Sequence, residues 1–414
     1  MKKKYTLLSL LLALVLMLLT GCKSSSSTGE ADTTAVGAMV SSTEAPTTVP
    51  ETTAEEIKPV SINIVAVGDM LMHSGVSKPA VQDDGSYVYD YLFEHVTDKV
   101  KTADLAVVNN EVVMAGNQYG NIGYPCFNVR TELADAEVKA GFDVALLATN
   151  HSMDQDTNGM IHTLNYWKEH FPDIITLGAN LDADAQKKIC IKNINGINVA
   201  LLNYTYGTNG INVPEERNYL INYMREEDKP RITEEIQRAK SLADFVIVFP
   251  HWGTEYVMTS DDMQKEWAKF FAEQGVDLII GTHPHVVEPV EWVEGKDGHK
   301  MLVYYSLGNF TSLQYYNFSM LGGMADVKIT KDANGTHIES YDMHFLVTHF
   351  TRSRSAMTTY FLDDYTEDLA AEHSIHTEPG EEYMSVNRDY PFTAKDLKKL
   401  AKSICPDLPS TSKY

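Results

Sequence analysis

Six short apolar runs, each followed within a few residues by Asp, Glu, Asn or His, set the terms on which this chain can fold. Val60 to Val67 leads into Gly68-Asp69-Met70-Leu71-Met72-His73, and Leu105 to Val108 into Asn109-Asn110-Glu111. Phe142 to Ala148 leads into Thr149-Asn150-His151-Ser152-Met153-Asp154, and Phe245 to Phe249 into Pro250-His251-Trp252-Gly253-Thr254-Glu255. Val276 to Ile280 leads into Gly281-Thr282-His283-Pro284-His285, and Met301 to Tyr305 into Ser306-Leu307-Gly308-Asn309-Phe310. Each run is too short for an ordinary helix and reads as a buried strand. Ile197 to Leu202 is a further strand without such an ending. Helical stretches fall between several of them: Thr131 to Ala140, Gly159 to His170, Thr233 to Ala243, and a helix to about Gln274 opened by a capping box at Thr259-Ser260-Asp261-Asp262. Strands alternating with helices imply βαβ units and a largely parallel or mixed sheet covered on both faces. Ligands then bind beyond the carboxyl ends of the strands, so the polar endings are expected to meet on one rim.

The chemistry of those endings is that of a metal site. His283 and His285 stand two apart around Pro284, which biases the stretch towards extended backbone and would point both imidazoles the same way. With Asp69, Glu111, Asn150, His151 and His251 they offer carboxylate, amide-oxygen and imidazole donors, a mixture that suits Mn, Fe or Zn. None of these endings carries Cys, which argues against a structural zinc site.

The rest of the chain bounds the setting. A formal charge of −23 over 414 residues excludes nucleic acid as an expected partner. Residues 1–22 read as a lipoprotein signal: Lys2-Lys3-Lys4, an apolar run from Leu7 to Leu19, then Leu19-Thr20-Gly21-Cys22, with Cys22 the lipidated residue. The protein is accordingly expected outside the cytoplasm, anchored to the cell membrane. Residues 23–59, rich in Ser, Thr, Ala and Glu without an aromatic residue, read as a disordered tether. Residues 60–351 form the expected domain and 352–414 a C-terminal extension. Within these, Phe318 to Lys331 and Gly335 to Phe350 read as later strands, and Thr393-Ala394-Lys395-Asp396 as the cap of a final helix ending near Ile404. Cys126, Cys190 and Cys405 allow at most one bridge.

Taken together, Gly68-Asp69, Asn109-x-Glu111, Asn150-His151-x-x-Asp154, His251-Trp252-Gly253-x-Glu255, Gly281-x-His283-Pro284-His285-Val286 and Ser306-Leu307-Gly308-Asn309-Phe310 resemble the CapA family of capsule and poly-γ-glutamate synthesis, itself similar to the calcineurin-like metallophosphoesterases. The resemblance covers about Val60 to Thr351. It implies an α/β fold, a four-layer α-β-β-α sandwich with mixed sheets, and a binuclear centre of divalent ions. By position, Asp69 and His285 would hold one ion and Asn150, His251 and His283 the other, with Glu111 bridging. His151 would be the catalytic, protonating group. The chain departs from the phosphoesterase pattern in three places. His73 lies four residues after Asp69 rather than two, the bridging acid is Glu, and Asp154-Gln155-Asp156 replaces an Asp-x-Gly. His73, Asp154, Glu255 and Asn309 are therefore read as residues that orient or shape the site rather than ligands.

The resemblance points to a metal-dependent hydrolase or transferase acting on an anionic envelope polymer or a phosphoester. The alternative is an accessory protein that binds the polymer through its ions without turnover, or a scaffold for a membrane polymer synthase. Arg352 and Arg354, cations in an acidic chain, are candidate clamps for an anionic substrate.

Overall fold

The computed structural model describes residues 58–314, 316–377 and 391–414. Residues 1–57, which take in the expected signal sequence with Cys22 and nearly all of the expected tether, and residues 378–390 lie outside the described residues. Strands β1 (Val60–Met70), β2 (Leu105–Asn110), β3 (Val144–Leu146) and β4 (Ile175–Leu177) run parallel, with α1 (Thr97–Val100), α2 (Glu132–Ala140) and α3 (Asp156–His170) in the connections. After α4 (Ala183–Gln186) come β5 (Cys190–Ile194), β6 (Ile197–Thr205), α5 (Lys229–Leu242), β7 (Phe245–His251), α6 (Asp262–Gln274), β8 (Leu278–Ile280), β9 (Val290–Glu294) and β10 (Lys300–Tyr304). The chain closes with β11 (Asn309–Thr311), β12 (Leu321–Asp332), β13 (Gly335–Phe350), β14 (Met357–Phe361), α7 (Glu367–Glu372) and α8 (Ala394–Ile404).

These strands make two mixed sheets. The first has the order β14-β13-β12-β1-β2-β3-β4, with β11 also paired to β1; the second has the order β5-β6-β7-β8-β10-β9. Along β1-β2-β3-β4 every crossover steps the same way, and so it does along β6-β7-β8. Right-handed crossovers therefore put α1, α2 and α3 on one face of the first sheet and α5 and α6 on one face of the second. The opposite faces meet in a shared core. Ile197, Val199 and Leu201 of β6 belong to the same apolar cluster as Val107 of β2 and Val144 of β3. The alternate residues Ala200, Leu202 and Tyr204 pack instead with Ile232 and Ile236 of α5 and Trp267 and Phe271 of α6. Side chains that alternate between two cores are what a sheet buried on both faces requires. The architecture is the expected four-layer α-β-β-α sandwich.

One recurring device sets the register of the parallel strands. Asp104, Asp143, Asp244 and Asp277, each just before a strand, accept the backbone N–H of Asn63, Ala106, Asn198 and Val246 in the neighbouring strand, at 2.8 to 2.9 Å. The strand starts are thereby locked, and their far ends finish level with one another.

Some expectations shift. The α6 capping box is formed by Asp261 and Gln264, two residues later than expected, because Asp261 is the last extended residue. Within residues 352–414, β14 pairs with β13, and Tyr365, Phe392, Leu397 and Leu408 join the main core. Among the described residues no helix is long and apolar enough to cross a membrane, and Cys126, Cys190 and Cys405 are unpaired.

Candidate metal centre

Strand ends from both sheets deliver the candidate residues to one place. Asp69 is the penultimate residue of β1, in register with Asn109 of β2 and Asn309 of β11. Gly68 makes this approach possible, since a Cβ there would lie 1.9 Å from the carbonyl oxygen of Gly308. Asp69 N–H donates to that same oxygen at 2.9 Å. From the second sheet, His251 ends β7 and bridges to Thr282, two residues beyond β8.

Expected extended geometry through His283-Pro284-His285 is not what forms. His283 has φ 103 and His285 φ 58, both in the left-handed region. Side chains rarely adopt that region without compensation. Here His283 N–H lies 3.2 and 3.3 Å from the two carboxylate oxygens of Asp69. The loop turns around this carboxylate, and both imidazoles reach the site from a curled rather than a straight backbone.

Glu111 is fully buried at the centre. Its Oε1 lies 3.5 Å from His251 Nε2, 3.7 Å from His285 Nε2 and 3.9 Å from His151 Nε2. Among the described residues, neither carboxylate oxygen of Glu111, nor Nδ1 of buried His283, has a hydrogen-bond partner. Such groups are costly to enclose unless something else satisfies them. Burial, then the nearby Asp69 and Glu255, pushes the Glu111 carboxyl well above its usual range. Burial, then neighbouring imidazoles, holds His251 and His283 well below theirs, which favours the neutral form that binds metal ions. A buried carboxyl group with imidazole nitrogens at 3.5 to 3.9 Å fits divalent cations. Donor atoms within 4.8 Å of one another form two triads, Glu111-His283-His285 and Asp69-Glu111-His251. These cut across the division expected from sequence, but Glu111 belongs to both, as a bridging acid must.

The surrounding groups fix ring orientations. His285 Nδ1 sits 3.1 Å from Asp69 Oδ2 and 3.1 Å from Asn309 Oδ1, which leaves Nε2 facing Glu111. His251 Nδ1 meets Thr282 Oγ1 at 3.0 Å, and its Nε2 meets Asn150 Oδ1 at 2.8 Å. His151 Nδ1 is 2.6 Å from Asp154 Oδ2, an oxygen that also accepts Phe127 N–H at 2.7 Å. His73 lies just beside the site. Its ring meets Phe127 edge-on, its Nδ1 is within 3.3 Å of both Leu71 O and Leu313 N, and burial drives it down to about 3.

Two expectations fail on geometry. Glu255 is exposed and hydrogen-bonds none of the site histidines among the described residues; its charge still raises Glu111, Tyr206 and Tyr256. It follows a turn at Gly253 (φ 95) that carries it out of the site. Arg352 is exposed and gives its Nε and Nη2 to Ala371 O at 3.0 and 2.7 Å, and Arg354 lies in the same exposed turn after β13. Arg352 thus ties that turn to α7.

Other contributors had no reading in the sequence. Asn109 donates to Asp69 at 2.9 Å, and Tyr206 lies over His283 with ring centroids 4.7 Å apart. Asn209 accepts from Asn150 at 3.2 Å, and Gln314 joins Asn309 to the Tyr256 hydroxyl. Tyr206 and Asn209 could have been found. The strand expected from Ile197 to Leu202 continues as β6 to Thr205, so its loop obeys the same strand-end rule as the others.

Residues 63–314 match the family model described as "Bacterial capsule synthesis protein PGA_cap". The chain is 28% identical over 281 residues to the PGA biosynthesis protein CapA of Bacillus subtilis (strain 168), covering 67% of this chain and 70% of that one. It is 30% identical over 254 residues to the capsule biosynthesis protein CapA of Bacillus anthracis, covering 60% of this chain and 59% of that one. Solved structures similar to it include a phosphatase from Mycoplasma pneumoniae (14% identity, 70% of this chain and 95% of that one, TM-score 0.42). Another is the calcineurin-like phosphoesterase YfkN from Bacillus subtilis (13% identity, 70% and 91%, TM-score 0.39).

Proposed function

This chain belongs to the bacterial capsule synthesis protein family, and from that premise we propose that it is a metal-dependent hydrolase or transferase acting on an anionic envelope polymer or a phosphoester. The observation that carries the proposal is the unpartnered, fully buried Glu111 carboxylate with His151, His251 and His285 around it. Asp69, Glu111, Asn150, His251, His283 and His285 would hold two divalent ions. When bound, such a pair supplies Lewis-acid polarisation of a substrate oxygen and lowers the pKa of water. The chain's own residues do the rest. Asp154 holds the Nδ1 proton of His151 and turns Nε2 towards Glu111, where it can give or take a proton at a leaving atom. Asp69 and Asn309 hold His285, and Thr282 holds His251, so the rings cannot turn their donor atoms away. The same proposal puts the domain outside the cytoplasm on a lipid carried by Cys22, on the strength of Lys2-Lys3-Lys4, the apolar run and Leu19-Thr20-Gly21-Cys22.

A second reading has one observation in its favour. The charged groups that bear most on Glu111, Tyr206 and Tyr256 are acidic, so among them nothing offsets the charge of a polyanion. Bound ions would then bridge the polymer's carboxylates to this protein without turnover, as an accessory of a membrane synthase. Full-length protein purified without chelator separates the readings. It is analysed for bound metal, for turnover of a chromogenic phosphodiester with Mn²⁺, and for polymer binding, beside His283→Ala. Bound metal with turnover that His283→Ala abolishes supports the enzyme. Bound metal with polymer binding and no turnover favours the accessory. A wild-type protein without transition metal overturns both.

A further inference from the structure

The side-chain amide of Asn150 has two ends of nearly equal size and opposite chemistry, and only its oxygen can ligate a cation. Burial alone does not choose between them. In the structure Nδ2 of Asn150 donates to Oδ1 of Asn209 at 3.2 Å, and Oδ1 of Asn150 faces His251 Nε2 at 2.8 Å. The second contact orients the amide only while His251 carries a proton on Nε2. A cation that took the Nε2 lone pair would remove it. Asn209 then remains as the fixed acceptor that holds the nitrogen outward and the oxygen inward.

We infer that Asn209 is a positioning residue that sets the orientation of Asn150 for cation binding. This rests on the metal-centre reading above. The loop is built to hold Asn209 in place. Its backbone is left-handed (φ 51), a conformation that asparagine tolerates, and Gly210 follows at φ 77. Tyr206 N–H donates to His251 O at 3.1 Å, which ties the loop to the strand that carries His251. Thr208 Oγ1 donates to Ile211 O at 2.7 Å and meets the Tyr223 hydroxyl at 2.8 Å. Asn209 itself is exposed while Asn150 is buried, so it reaches down onto its partner from the rim. Nδ2 of Asn209 lies 3.5 Å from His151 Nδ1, whose proton goes to Asp154, so that contact packs against the ring without bonding it. Water in place of Asn209 would not do the same work, because water donates as readily as it accepts and leaves both amide orientations open.

The test is an Mn²⁺ titration of the full-length chain by calorimetry, with thermal melting as a check on folding. Asn209→Gly removes the acceptor and suits the left-handed backbone. It is expected to weaken one class of ion about 10- to 100-fold, with the melting temperature of the metal-free protein unchanged. Asn209→Asp keeps an acceptor and is expected to bind like wild type. Asn150→Asp makes both ends of residue 150 oxygen, so adding Asn209→Gly to it should cost no further affinity. Asn209→Gly that binds both ions as wild type does, Asn209→Asp as weak as Asn209→Gly, or an undiminished effect in the Asn150→Asp background each overturns the inference and leaves the metal centre standing. Wild type that binds no Mn²⁺ overturns the metal centre itself, and the inference with it.

Discussion

Asp154 Oδ2 lies 2.6 Å from His151 Nδ1, three residues back along the same turn, and this fixes the face that His151 turns to the site. With Nδ1 committed, Nε2 stands 3.9 Å from Glu111 Oε1. His151 should therefore act on protons rather than hold an ion. His151→Ala is expected to lower turnover about 10²- to 10⁴-fold, the usual range for a positioned acid or base, with metal content unchanged. Asp154→Asn should lose part of that through the wrong tautomer. Metal analysis beside kinetics checks it: ions lost in His151→Ala would make His151 a ligand instead.

Glu111 predicts what metal removal does. Ions that bind only the folded state stabilise it by mass action, about 4 kcal/mol at a free concentration a thousand times Kd. Chelation should lower the wild-type melting temperature and barely move that of Glu111→Gln. The metal-free variant should in turn be more stable than metal-free wild type, because an unpartnered buried carboxylate is gone. Calorimetric melting with and without EDTA decides; equal chelator shifts in both proteins would remove Glu111 from the ligand set.

Glu137 predicts a pH dependence away from the site. It is buried on α2, accepts from Asn110 Nδ2 at 3.1 Å through one oxygen and has no donor for the other. Burial pushes its carboxyl up to about 8, from an ordinary 4.5. Between those values the folded protein holds a proton that the unfolded chain releases, so its contribution to stability is whole below about 4.5 and is lost as pH rises through about 8. Glu137→Gln should flatten that slope and gain roughly 1–3 kcal/mol at alkaline pH. Denaturant unfolding at several pH values measures this; parallel wild-type and variant curves would refute it.

Gly68→Ala should fail sterically. The added Cβ meets backbone, 1.9 Å from Gly308 O, rather than a movable side chain. A loss of about 1–3 kcal/mol or more is expected, together with weakened Mn²⁺ binding as Asp69 shifts. Thermal melting and titration on the same sample test both halves; an unchanged melting temperature would show that the strand ends can part.

Much of the fold was legible because buried strands and amphipathic helices carry period and length. All seven of the first apolar runs became strands, and the segments β12 and β13 followed. What escaped was short or half-exposed. β4 and β11 are three residues each, and β9 keeps Glu291, Trp292 and Glu294 in solvent, so neither periodicity nor hydrophobicity marks them. The convergence of Asp69, Glu111, Asn150, His251, His283 and His285 was legible because strand ends in an α/β sheet share a rim. The failure at Arg352 has a plain cause: charge is visible in a sequence, but the Ala371 carbonyl that occupies it is not. The curled backbone of His283 and His285 was hidden for a similar reason, since Pro284 speaks for extension and only Asp69, far away in the chain, overrules it.

That overruling makes Asp69 a clasp as well as a donor. Two non-glycine residues at positive φ turn about one carboxylate, with Asn309 also holding His285, at a backbone cost of order 1–3 kcal/mol each. Loss of the clasp is expected to loosen both rings together. The pocket would then empty as a unit, without passing through a state that has merely lost one finger.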